Sequence, residues 1–95
     1  SHKITRGNLS YLSSWLDGET KLSWVKPSSG TTALIKIELP IKSYDFCVDL
    51  LQKTGVMFTP GAVMGMEGFI RVGYANNPDV LRAGLSRVSK YLKNI

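Results

Sequence analysis

Histidine and cysteine each occur once in these 95 residues. A single Cys47 cannot build an internal disulfide framework, and with His2 it offers no metal-ligand spacing. Its neighbours Phe46 and Val48 are apolar, so it reads as a small core residue and not as a nucleophile. No apolar run approaches the roughly 20 residues that cross a bilayer, and no signal-peptide pattern occurs, so no membrane partner is expected. A reducing, cytoplasmic setting fits this composition. Serine, histidine and aspartate do not form a triad, histidines are not paired, and a Walker-type phosphate loop is missing. The stretch MGMEG (64–68) has two glycines but opens a strand instead of a helix, which weighs against a dinucleotide or anion site. Ser1 and His2 read as vector remnants.

Basic residues are plentiful by contrast. The formal net charge is +5, from 12 Lys and Arg against 7 Asp and Glu. These cations are scattered along the chain and do not gather on one predicted face, as a nucleic-acid footprint would require. A solvated surface is therefore expected, without a nucleic-acid partner. A hydrophobic content of 43% lies in the ordinary globular range, and the length allows one compact domain.

Periodicity divides the chain into six elements. Leu9, Leu12 and Leu16 fall at helical spacing over residues 4–17, with Tyr11 and Trp15 one turn apart and Gly18 as the stop. Residues 24–30, with Pro27 and Gly30, read as an irregular approach to a strand. Residues 31–39 are the best strand: Ala33, Ile35 and Ile37 share one face, Leu34, Lys36 and Glu38 the other, and Pro40 ends it. Ser43 is expected to cap a helix whose stripe is Phe46, Cys47, Leu50 and Leu51, stopped by Gly55. Residues 56–58 form a short strand broken by Pro60-Gly61, and residues 69–74 form the third strand. Asn77-Pro78-Asp79 starts a last helix with Leu81, Leu85, Val88 and Leu92 on its buried face, and Lys90 and Lys93 in its final turn. The expected fold is thus α+β, a small three-stranded sheet covered by helices on one face, in the order α-β-α-β-β-α.

Arg71 is the conspicuous polar residue. It lies inside FIRVGY, between Ile70 and Val72, just after the glycine-rich loop. A strand arginine among apolar neighbours costs desolvation unless an anion meets it. One reading is an arginine exposed on an open sheet face or paired with an internal carboxylate such as Glu67. The other is a guanidinium fork open to a ligand carboxylate, which its geometry suits. Met57, Met64 and Met66 read as gap-fillers, and Trp15 and Trp24 as packing residues.

The stretch GVMFTPGAVMGMEGFIRVGYANNPDVLRAGLSRVSKY (55–91) resembles the end of class I/II, fold type I, pyridoxal-phosphate-dependent aminotransferases. The matching residues are Gly55-Val56, Pro60-Gly61, Gly65, Gly68, Arg71, Ala75 and the helix from Leu81 to Leu92. Upstream, KPSSGTTALIKI (26–37) is similar to the family's approach to the small-domain sheet, and residues 8–16 look like its interdomain helix. The resemblance implies a C-terminal small domain over residues 19–95, preceded by a linker helix over residues 3–18. It implies that Arg71 binds the substrate α-carboxylate, a positioning role. It also implies that Pro60, Gly61 and Gly65 shape a loop beside the active site, where close backbone approach needs glycine. Met64 and Met66 stand where an aromatic is common between the glycines, a departure that bears on side-chain preference.

The same resemblance assigns the lysine that carries the cofactor, and the residues that hold its ring and phosphate, to a large domain of the same chain. Pyridoxal phosphate is therefore expected in a full-length parent, with amino acids and 2-oxo acids as substrates and a homodimer as the assembly. The fragment alone is expected to bind no cofactor, contribute no catalytic group and hold no metal. Carbon–sulfur lyases share this domain, so elimination is the neighbouring alternative, since large-domain residues steer the reaction. A basic α+β RNA-binding module is the alternative from another class. It would need exposed aromatics on adjacent strands, and Phe69 and Tyr74 fall on opposite faces.

Overall fold

A computed structural model describes residues 2–26 and 30–95, apart from the side chains of His2 and Lys26. Along the chain run helix α1 (His2–Asp17), strands β1 (Leu22–Lys26) and β2 (Thr32–Ile37), helix α2 (Ser43–Thr54), strand β3 (Thr59–Pro60), a 3₁₀ turn (Gly61–Met64), strand β4 (Phe69–Gly73) and helix α3 (Pro78–Lys93). The strands form one sheet in the order β1-β2-β4-β3, each neighbouring pair antiparallel.

Alternation in the two central strands decides the layers. Ala33 lies opposite Val72 and Ile35 opposite Ile70, and these four are buried with Ile37. Leu34 opposite Arg71 and Lys36 opposite Phe69 fall on the other face, which is exposed or half-buried. With a side-chain period of two, one register settles every residue's face. The helices close the first face. Leu12 and Leu16 of α1, Phe46, Cys47 and Leu50 of α2, and Leu81, Leu85, Val88 and Leu92 of α3 join one core with the strand residues. The Phe46 and Tyr91 rings meet edge to face, with centroids 5.9 Å apart, a geometry that adds to simple area burial.

Helix boundaries follow local chemistry. The Asn77 side chain accepts from the Asp79 N–H at 2.8 Å, and Pro78 follows it in the first helical position. Gly55 closes α2 at φ 77°, donating its N–H to the Leu51 carbonyl. The Lys21 amine, just before β1, donates to the carbonyls of Leu92 and Ile95 (2.9 Å to the latter), placing a cation where the α3 dipole ends. Buried Asn8 donates through Nδ2 to the carbonyls of Tyr74 (2.8 Å) and Asn76 (2.6 Å). Trp15 donates to Ser89 Oγ at 2.8 Å, and the Arg82 guanidinium lies 4.6 Å from the Tyr11 ring centre. Polar side chains as well as leucines thus fix α1 to the body.

Several expectations need correction. The sheet has four strands, not three, because residues 22–26 pair with β2, Leu22 opposite Ile37. The register shifts between Trp24 and Lys26, which hides the strand from a simple alternation test. Near the start of the KPSSGTTALIKI stretch, residues 27–29 lie outside the described residues. The short strand is Thr59–Pro60 and not residues 56–58; at the sheet edge, proline costs no ladder donor. The best strand ends at Ile37, before Leu39. Ser43 is the first residue of α2 and not its cap: Lys42 occupies the cap position without a side-chain bond, and the Ser43 hydroxyl is used elsewhere. Leu51 lies on the exposed side of α2, and Met57 and Met66 are exposed rather than filling gaps.

Candidate functional site

Arg71 stands in β4 on the open face of the sheet, between Leu34 of β2 and Thr59 of β3. It is exposed, and its Nη1 donates to Met64 Sδ at 3.4 Å. Among the described residues the ion pairs join Lys36 to Glu38 and Lys53 to Asp49, and no carboxylate pairs with Arg71. A guanidinium has five donors in a planar fork. A thioether, a weak acceptor, engages one of them and leaves the fork open to a stronger anion. Glu67 does not pair with Arg71.

Glu67 is engaged elsewhere. Its Oε2 accepts the backbone N–H of Ser43 at 2.8 Å and that of Gly68. These two bonds, that from Ser43 first, hold the carboxyl below its ordinary value. Ser43 is fully buried, and its Oγ accepts the Ala62 N–H at 3.1 Å. The first residue of α2 therefore touches the loop between β3 and β4 at two places.

That loop depends on glycine in two different ways. A Cβ on Gly61 would lie 2.1 Å from the Met66 carbonyl oxygen and 2.5 Å from that of Phe69, so close backbone contact excludes any larger residue. Gly65 has open space around it, but its φ of 71° closes the 3₁₀ turn in the left-handed region. Pro60 pairs opposite Ile70 and feeds the chain into that turn. Pro60, Gly61, Gly65 and Arg71 thus belong to one contiguous piece of structure around the loop and β4. Met64 and Glu67, read from the sequence as a filler and a neutralising partner, are the side chains that tie it together. The signal available was only their place between the glycines.

Other candidates lie apart from this region. On the covered side, Tyr91 donates to Asp49 Oδ2 at 2.6 Å beside Lys53. Burial first, then that bond, pushes the Tyr91 hydroxyl up, while the same bond lowers Asp49. Burial pushes the Cys47 thiol up to about 11, which makes it a poor nucleophile. Trp15 and Trp24 are half-buried against the core. Tyr74 is buried and donates its hydroxyl to the Gly30 carbonyl, so it does not join Phe69 as a stacking pair on the open face. Among the described residues no group of three metal-binding side chains occurs, and no helix is long and apolar enough to cross a membrane.

No protein-family model matches the chain. Individual relatives do. Over 74 residues it is 34% identical to a probable N-acetyl-LL-diaminopimelate aminotransferase of Bacillus subtilis, covering 75% of this chain and 19% of that protein. Over 71 residues it is 32% identical to nicotianamine aminotransferase A of Hordeum vulgare, covering 70% and 15% respectively. In three dimensions it superposes on a PLP-dependent aminotransferase from Streptococcus suis with a TM-score of 0.91 and 33% identity, over 97% of this chain and 25% of that one. The chain therefore spans a fifth or less of these curated relatives and a quarter of that solved chain. Sequence and fold agree that the chain belongs to the pyridoxal-phosphate-dependent aminotransferase family, as the counterpart of its C-terminal small domain.

Proposed function

We propose that this chain is the substrate-gripping part of an aminotransferase, in which Arg71 binds the α-carboxylate of an amino acid and of the 2-oxo acid formed from it. The observation that carries this reading is the open fork of Arg71, which is exposed on the uncovered sheet face and, among the described residues, bonds through its side chain to a thioether and to no carboxylate. A two-point bond from a guanidinium to a carboxylate fixes orientation as well as position, and orientation is what a transfer between bound groups requires. Pro60, Gly61 and Gly65 shape the backbone beside it. Helix α1 serves as the linker (residues 3–18) to a large domain, and residues 19–95 form the small domain. Exposed Met57 (75%), Val63 (67%) and Tyr44 (62%) fit a surface that the rest of such a parent would cover.

Pyridoxal phosphate would supply the electron sink for amino-group transfer. Among the described side chains, the lysines do not fit as its holders. Lys21 is committed to two carbonyls, Lys36 and Lys53 pair with carboxylates, and Lys3, Lys42, Lys90 and Lys93 are exposed. The cofactor site is accordingly assigned to the large domain, and the 95-residue chain alone is inactive. A cytoplasmic homodimer as the parent assembly extends the resemblance further.

The test is kinetic. In the full-length protein, Arg71→Lys is expected to raise the amino-acid KM and lower kcat/KM by about 1.5–3 kcal/mol, the worth of a hydrogen bond to a charged group. Unchanged kinetics would remove Arg71 from this role. Mixing the 95-residue chain with the cofactor should produce no stoichiometric lysine-adduct absorbance, and such a band would overturn the assignment of the cofactor to the large domain.

A further inference from the structure

The N-terminus of α2 has no cap of its own. Lys42 occupies the cap position without a side-chain bond, so the first-turn N–H groups must find acceptors elsewhere. Glu67 supplies one from a different part of the chain. Its carboxylate takes the Ser43 N–H, and a negative charge there is favoured by the helix dipole. Ser43 in turn receives the Ala62 N–H on its buried hydroxyl. The 3₁₀ turn and the strand approach are thus tied to one helical residue, at Ala62 and at Glu67. Between the two ties lies Met64, whose sulfur receives Arg71 Nη1. Within the loop, Met66 donates to the Gly61 carbonyl at 2.8 Å, so movement of one end carries the other.

We propose that Glu67 is a positioning residue for Arg71, acting through the first residue of α2. The clamp has two effects. It holds Met64 where the sulfur steadies one arm of the guanidinium without neutralising it. It also commits the carboxylate four positions before Arg71 to backbone donors, so the fork stays available to a ligand carboxylate. Without Glu67, the loop loses its tie at the strand approach and keeps only that at Ala62, and Met64 between them loses its fixed place beside Arg71. This inference rests on the reading of Arg71 as the carboxylate site.

The experiment compares Glu67→Ala, Glu67→Gln, Ser43→Ala and Arg71→Lys in the full-length enzyme, with steady-state kinetics for its amino-acid substrate. Glu67→Ala should raise KM about tenfold with kcat changed by less than about threefold, the scale of one charge-assisted hydrogen bond. Glu67→Gln keeps an acceptor oxygen for the Ser43 N–H and should bring KM back to within about threefold of the parent. Ser43→Ala removes the tie to Ala62 alone and should raise KM by about threefold. An unchanged KM in Glu67→Ala, with KM raised in Arg71→Lys, would overturn the clamp and leave the carboxylate site standing. So would a fall in kcat and a rise in KM of equal size that Glu67→Gln does not rescue. An unchanged Arg71→Lys variant would instead remove the carboxylate site and the clamp with it. If Glu67→Ala does not fold, an unchanged KM in Ser43→Ala decides against the clamp.

Discussion

The two faces of the sheet are built from the same strands yet follow different rules. On the covered face, Ala33, Ile35, Ile70 and Val72 are packed beneath three helices. On the open face, Leu34 and Phe69 are half-buried, and exposed Lys36 and Arg71 meet only surface partners among the described residues, Glu38 and Met64. A change on the first face alters stability, because interiors are close-packed and deletions leave cavities. A change on the second should alter what the domain can hold. The loop between β3 and β4 joins the two regimes. Its backbone packs as tightly as a core, while Met64 reaches toward the open-face arginine.

Substitutions can break that contrast in graded steps. Ile70→Ala empties a fully buried site at the sheet centre and should cost about 2–5 kcal/mol in chemical denaturation. A loss near zero would mean that the helices do not seal the covered face. Gly61→Ala forces a Cβ against two carbonyl oxygens and should cost about 1–3 kcal/mol or more, with shifted amide resonances at Met66 and Phe69. Asn8→Ala leaves the Tyr74 and Asn76 carbonyls without their donor, and a loss of about 1–3 kcal/mol is expected in the same measurement. Arg71→Ala and Leu34→Ala, on the open face, should each change stability by no more than about 0.5 kcal/mol. A large loss in either would erase the distinction between the faces.

Acidity provides a further check. Asp49, held down first by the Tyr91 hydroxyl, and Glu67, held down first by the Ser43 N–H, both titrate below their ordinary values of 3.8 and 4.5. A carboxyl with a lowered folded pKa contributes stability above its unfolded pKa and loses it as pH falls through the folded value. Thermal stability should therefore decline on acidification below about pH 4.5, and Asp49→Asn with Glu67→Gln should flatten that decline. A pH profile unaffected by both substitutions would show that these bonds do not matter to folding.

Much of the covered face was legible in the sequence. Leu81, Leu85, Val88 and Leu92 at spacings of four, three and four mark a helix stripe without reference to anything else, and all four are buried. Asn77-Pro78-Asp79 and Gly55 act within their own turns, so their caps could be read directly. Strand β1 could not, because its five residues gain their place by pairing with β2 through an irregular register. The edge strand at Pro60 was misplaced for a similar reason: which residues pair at an edge depends on the neighbour. The open face was legible only as the oddity of one strand arginine.

Residue types and spacing by themselves determined the three helices, the alternation of the two central strands, the need for glycine at Gly55 and the conspicuous place of Arg71. Tertiary structure alone decided that Glu67 serves a helix rather than the arginine and that Ser43 grips a loop instead of capping its own turn. It also decided that Met64, and not a carboxylate, stands beside the guanidinium. The physical reason is range. Caps, stripes and alternation are settled within a few residues, whereas an acceptor's partner is whichever donor the packed chain brings within about 3 Å.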